Sequence, residues 1–160
     1  MPSPTPLHLA LAPPPSPLSL SYQHDWWVWN STDLVHWDKT AVITTASNLP
    51  WGNPQANQCW ATDGAYKNGF WYWYLSVGGS QVAVVRSKSP AGPWEDVLGK
   101  PLLSDALAKS LDPPTTFRDP GILEDPTDGA VYLISGVFTY YIAKLNDDST
   151  LVCVYACALA

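Results

Sequence analysis

Residues 67–97 read KNGFWYWYLSVGGSQVAVVRSKSPAGPWEDV, and this stretch decides the fold. Asn68-Gly69 is a hairpin signal, because both residues tolerate the positive φ that a tight two-residue turn requires. Phe70–Val77 (FWYWYLSV) follows as a run of aromatic and aliphatic residues suited to a pleated strand. Gly78-Gly79-Ser80 makes the next turn, and residues 81–86 (QVAVVR) form a second strand. Residues 87–94 (SKSPAGPW) are a Pro/Gly turn closed by a tryptophan.

Working outward, the same grammar recurs. Downstream, Gly121-Ile122-Leu123 lead into an acidic turn at 124–129 (EDPTDG), then strands at 130–135 (AVYLIS) and 140–145 (YYIAKL). Upstream, Asp25–Asn30 (DWWVWN) is a short aromatic strand, followed by a polar turn at 31–37 (STDLVHW) and a β-branched strand at 41–45 (AVITT). Residues 48–58 (NLPWGNPQANQ) read as a loop. Gly69 and Gly129 open corresponding strands, and the turns Ser31…Trp37 and Ser87…Trp94 match. Asp63 and Asp119 each stand just before the first strand of a unit on this reading. Repeated antiparallel units of this length are the pattern of β-propeller blades. The fold class is therefore all-β, a partial β-propeller with two complete units and one incomplete unit ahead of them. A single blade cannot bury both faces, so each unit needs neighbours.

Composition agrees. Of 160 residues, 46% are hydrophobic and only 14% charged, with nine Trp and eight Tyr. Sixteen Pro and ten Gly leave no room for long helices. The net charge of -6 argues against nucleic-acid binding, which needs a basic face. No apolar run reaches the roughly 18 residues of a membrane-spanning helix.

Residues 1–21 hold seven of the prolines and read as a disordered leader; residues 22–152 form the blades and 153–160 a tail. The leader lacks the basic start of a secretory signal. Cys59, Cys153 and Cys157 make no complete disulfide framework, and Cys153 and Cys157 lack partners for a zinc site. Asp125, Asp128, Asp147 and Asp148 read as hairpin-turn residues, since their spacing follows no helix-loop-helix cation motif. No metal is expected. Trp27, Trp29, Trp71, Trp73 and Trp94 are expected to pack within and between blades.

Four segments in order carry a family resemblance: 26–37 (WWVWNSTDLVHW), 59–66 (CWATDGAY) with Lys67-Asn68-Gly69, 82–103 (VAVVRSKSPAGPWEDVLGKPLL), and 118–134 (RDPGILEDPTDGAVYLI). Together they resemble glycoside hydrolase family 43, the five-bladed propeller arabinanases, β-xylosidases and arabinofuranosidases. The resemblance implies inverting hydrolysis of O-glycosidic bonds in arabinose- and xylose-containing polysaccharides, without a cofactor. That chemistry needs two carboxyl groups roughly 6.5–9.5 Å apart, with water between them. A propeller supplies them by aiming the first strands of its blades into one axial cavity. The family adds a third carboxylate, which orients the acid and raises its pKa.

By resemblance, Asp119 in Arg118-Asp119-Pro120 falls on that pKa-tuning position; the plainer reading is a turn carboxylate capping backbone N–H groups. Asp63 matches a cavity-end residue, or equally a turn residue. Trp60 offers a flat face for a sugar ring, and Asp25 stands where it could reach the cavity. Trp60, Asp63 and Asp25 are thus the candidate substrate-binding residues. The family's base lies ahead of the first hairpin, where this chain has no Asp or Glu before Asp25. Its acid lies tens of residues past the Asp-Pro motif, and no carboxylate follows Asp148. The reading is therefore of a chain inactive by itself, with an arabinan- or xylan-type carbohydrate as partner. A non-catalytic carbohydrate-binding or interaction domain is the alternative, and open blade edges suit self-association. The resemblance favours an extracellular location.

Overall fold

The computed structural model describes residues 25–45, 48–51, 59–78, 80–148 and 151–155. The expected leader, most of the 48–58 loop and the end of the tail with Cys157 lie outside the described residues. The described chain forms three antiparallel sheets. The first is a hairpin of β1 (Asp25–Asn30) and β2 (Asp38–Thr45). The second is a four-stranded blade of β3 (Cys59–Lys67), β4 (Phe70–Val77), β5 (Gln81–Ser87) and β6 (Glu95–Asp96). The third runs β7 (Gly121–Glu124), β8 (Val131–Val137), β9 (Thr139–Leu145) and β10 (Leu151–Tyr155), again paired in chain order. The expected repeat is thus present, strand for strand, in the two complete blades. Strand β10 begins two residues before position 153, so the segment read as a tail starts inside a strand.

The central blade shows why residues 70–77 are apolar without alternation. A strand with one wet face alternates; one covered on both faces does not. Tyr72, Tyr74, Val82 and Val84 pack with Phe117, Val131, Leu133 and Tyr141 towards the third blade. Trp73, Leu75, Val77, Ala83 and Val85 pack with Trp26, Val28 and Ile43 of the hairpin. Both faces of β4 are consequently buried, with Tyr74 and Leu75 fully so. Gly64 lies across from Trp73 in the register, and a Cβ there would sit 2.7 Å from the indole ring. The aromatic core is what demands glycine at that position.

The polar turns form as their sequences suggest. In the turn after β1, Asp33 Oδ1 accepts from the backbone N–H groups of Val35 (2.9 Å) and His36 (2.8 Å). The His36 side chain meets the other oxygen at 2.7 Å. Asp125 Oδ1 accepts from Thr127 N and Asp128 Oδ1 from Ala130 N, both at 2.8 Å, which closes the β7–β8 hairpin.

One helix, α1 (Asp105–Ser110), interrupts the β pattern between the complete blades. Ser104 caps it by accepting from Leu107 N at 3.2 Å, and Lys109 pairs with Asp105 one turn earlier. Ala108 is fully buried against the core between the blades. The chain returns from α1 through Phe117, which is buried and sets its ring edge-on to Tyr141. From there it enters the first strand of the third blade. Among the described residues, no helix is long and apolar enough to cross a membrane.

Candidate functional site

The sheets of the two complete blades approach each other along their first strands, β3 and β7. The segment entering β7 is held from both sides. Phe117 N donates to Ser80 Oγ at 2.8 Å, anchoring it to the turn before β5. The Arg118 carbonyl accepts twice, from Gly136 N (3.1 Å) and from Ser135 Oγ (2.8 Å). Pro120 is buried, and Ile122 N donates to Asp63 Oδ2 at 2.7 Å.

Asp119 sits in the middle of this fixation. Its backbone is left-handed, with φ 49°. For an L-residue that conformation costs about 1–2 kcal/mol and persists only where the surroundings impose it. The residue is exposed, and among the described residues no group hydrogen-bonds its carboxylate. A turn-capping role for Asp119 would need such a bond to a backbone N–H. Asp33 and Asp125 have them, and both carboxyls are held below the usual carboxylate range. For Asp33 the His36 side chain is the main cause, then the N–H groups of His36 and Val35. For Asp125 it is the Thr127 backbone N–H.

Asp63 is placed differently from its sequence expectation. It lies inside β3, opposite Tyr74, and not ahead of the strand. Lys67 pairs with Phe70 at one hairpin and Glu124 with Val131 at the other. These hairpins differ in length, so the faces fix the equivalence. Tyr72 and Tyr74 face the third blade, while Val131 and Leu133 face back to the central one. Tyr74 therefore matches Ile134, and Asp63 matches Gly121, two residues beyond Asp119. Both Asp63 oxygens are engaged by backbone: Oδ1 accepts from Gly64 N at 2.8 Å, and Oδ2 takes Ile122 of the third blade.

Trp60 is half-buried on β3. Its carbonyl accepts from Trp26 Nε1 at 3.0 Å, which ties it to the first hairpin. The Arg118 guanidinium lies over its ring, 4.0 Å from the centroid. The structure thus brings Trp60, Asp63 and Asp119 to one blade boundary. Asp25 stands on β1 beside Trp26, whose indole N–H reaches the Trp60 carbonyl. Asp25 opens β1, paired with Thr45. By the matching polar turns, β1 corresponds to β5, a third strand removed from the inner edge.

Arg118 is the residue that sequence reasoning left without a role. Its signal was present, since it stands directly before Asp119 in the Arg118-Asp119-Pro120 motif. Its stacking on Trp60 depends on the approach of two blades, which the linear spacing does not display. Among the described residues, no three His, Cys, Asp or Glu side chains gather to hold a metal ion.

Comparison with known proteins points the same way. The profile of glycosyl hydrolases family 43 matches residues 19–153. An arabinoxylan arabinofuranohydrolase of Paenibacillus polymyxa is 35% identical over 116 residues, which cover 67% of this chain and 18% of that protein. A β-D-galactofuranosidase of Aspergillus niger is 32% identical over 134 residues, covering 74% of this chain and 36% of that protein. The solved structure of an α-L-arabinofuranosidase from Clostridium thermocellum superposes with a TM-score of 0.68 at 25% identity, covering 94% of this chain and 48% of that one. An endo-arabinase from Bacteroides thetaiotaomicron shares the fold, with a TM-score of 0.63 at 19% identity. The chain spans less than half the length of each of these relatives.

Proposed function

Since the chain belongs to glycosyl hydrolase family 43 and forms part of its five-bladed propeller, we propose that it carries one wall of an inverting glycosidase site for arabinose- and xylose-containing polysaccharides. Asp119 is the supporting carboxylate of that site. The observation that carries this reading is the state of Asp119: exposed, without a hydrogen-bond partner among the described residues, and on a left-handed backbone fixed from both sides. A carboxylate presented in that way is available to a neighbouring acid or a sugar hydroxyl. Close to a carboxylic acid, its charge disfavours ionisation of that acid and keeps a proton available for the leaving oxygen.

The sequence offers no Asp or Glu before Asp25 and none after Asp148, the two regions where the resemblance places the base and the acid. In our reading these 160 residues alone bind the polysaccharide without cleaving it. Affinity electrophoresis in arabinoxylan, arabinan and xylan gels, run beside a reducing-sugar assay, tests this. The chain is expected to be retarded and to release no sugar, and Asp119→Asn should weaken retardation about tenfold, or about 1.4 kcal/mol. Sugar release by the wild-type chain would defeat the supporting-only role. Retardation equal in Asp119→Asn would remove Asp119 from the site.

A further inference from the structure

We propose that Trp60 and Asp63 are positioning residues for Asp119, gripping it from the neighbouring blade on either side. The significance of this grip rests on the reading that Asp119 faces the sugar; the grip itself stands on geometry alone.

Among the described residues no group hydrogen-bonds the Asp119 carboxylate, so its direction follows from its backbone. That backbone is left-handed, and a residue there relaxes towards the β-region when its flanks are released. Strand β3 holds both flanks. One residue before Asp119, the Arg118 guanidinium lies on the Trp60 ring. Three residues after it, Ile122 N is bound by Asp63 Oδ2. The Trp60 face that meets the third blade is covered by Arg118 and cannot also stack on a sugar. Both Asp63 oxygens already accept from backbone N–H groups.

Trp60 and Asp63 are three apart, a spacing that in a regular strand sends side chains to opposite faces. The β3–β4 register explains how both meet the third blade. Cys59 pairs with Val77 but Thr62 with Leu75, so β3 carries one extra residue across this interval. A bulge of this kind re-aims a side chain. The bond from Trp26 Nε1 to the Trp60 carbonyl anchors the bulge to the first hairpin. All three sheets therefore converge on Trp60.

The test uses the isotope-labelled full chain and NMR. Asp63→Ala should speed amide exchange at Ile122 at least tenfold and move the Asp119 Cα and Cβ shifts away from their left-handed values. Asp63→Asn, with one acceptor oxygen left, should fall between Asp63→Ala and wild type. Trp60→Ala should move the Asp119 shifts, whereas Trp60→Phe, which keeps an aromatic face for Arg118, should largely restore them. Loss of xylo- or arabino-oligosaccharide binding in Asp63→Ala or Trp60→Ala, with Ile122 protection and Asp119 shifts unchanged, would overturn the proposal and make these residues ligands. Should Asp63→Ala not fold, the Trp60→Phe and Asp63→Asn spectra decide by the same criteria. Absence of oligosaccharide binding by wild type would count against the functional reading only, because exchange and shifts report the grip without sugar.

Discussion

Asp63 and Asp119 mark the inner edges of the central and third blades, and the molecule employs them in opposite ways. Asp63 spends both oxygens on backbone N–H groups, one of them across the blade boundary. Asp119 spends neither on any described residue and sits on a backbone that its neighbours impose. The difference follows from position: Asp63 lies inside β3, whereas Asp119 stands two residues ahead of β7 on a left-handed backbone. Similar acidic residues in repeated units thus become a structural tie in one blade and an exposed carboxylate in the next.

The comparison can be broken most forcefully at Gly136, which donates its N–H to the Arg118 carbonyl. Its φ is 155°, and a Cβ there would lie 2.1 Å from the Thr139 carbonyl oxygen. Gly136→Ala should therefore cost on the order of 4 kcal/mol, read as a large drop in the thermal midpoint, because backbone must move to admit the methyl. A near-normal melt would show that the segment entering β7 is not fixed from the β8 side.

A matched pair of substitutions at the two carboxylates sharpens the contrast. Asp63→Ala strips a charged acceptor from two N–H groups and should cost about 2–3 kcal/mol. Asp119→Gly should do the reverse. Relief of the left-handed backbone returns about 1 kcal/mol, and the greater flexibility of unfolded glycine takes back about half of it. Denaturant melts should thus place Asp119→Gly slightly above wild type and Asp63→Ala well below it. If both variants lose stability equally, the two carboxylates do the same work and the contrast falls.

The smallest effect is expected at Asp33, another acid fully engaged by its own turn. Its folded carboxyl titrates well below the usual range, chiefly through the His36 side chain. A depressed folded value means its contribution is present above the unfolded pKa of about 3.9 and is lost as pH falls through the folded one. The Val35 and His36 amide resonances should accordingly hold steady as pH drops through about 4, where a free aspartate titrates. In Asp33→Asn the same resonances should be shifted at every pH, with little change in global stability because the turn is exposed. Amides that titrate near pH 4 in the wild-type chain would show the turn to be open.

Much of the fold was legible. The hairpin at Asn68-Gly69, the apolar run of β4 and the polar turns closed by tryptophan follow from local backbone preference, and the repeat follows from their order. Strands β3, β7 and β10 were harder to read, because Gly64 and Gly121 weaken the local strand signal and β7 and β10 have only four and five residues; pairing with a neighbour supplies the rest. Helix α1 had a readable cap in Ser104, yet six residues give too little periodicity to separate a helix from a turn. At the site, the Asp-Pro motif singled out Asp119. The motif did not show that Arg118 would stack on Trp60, which depends on segments more than fifty residues apart, nor that Asp63 lies inside its strand, which depends on pairing with β4.

By itself, the sequence determined the repeating antiparallel units, the need of each unit for a neighbour, and the family to which the motifs point. These are properties of short stretches, set by φ/ψ preference and by which faces must leave water. Only the tertiary structure decided which acid is tied and which is exposed. A bulge of one residue in β3 and a left-handed backbone ahead of β7 redirect side chains, and neither is visible until strands are paired.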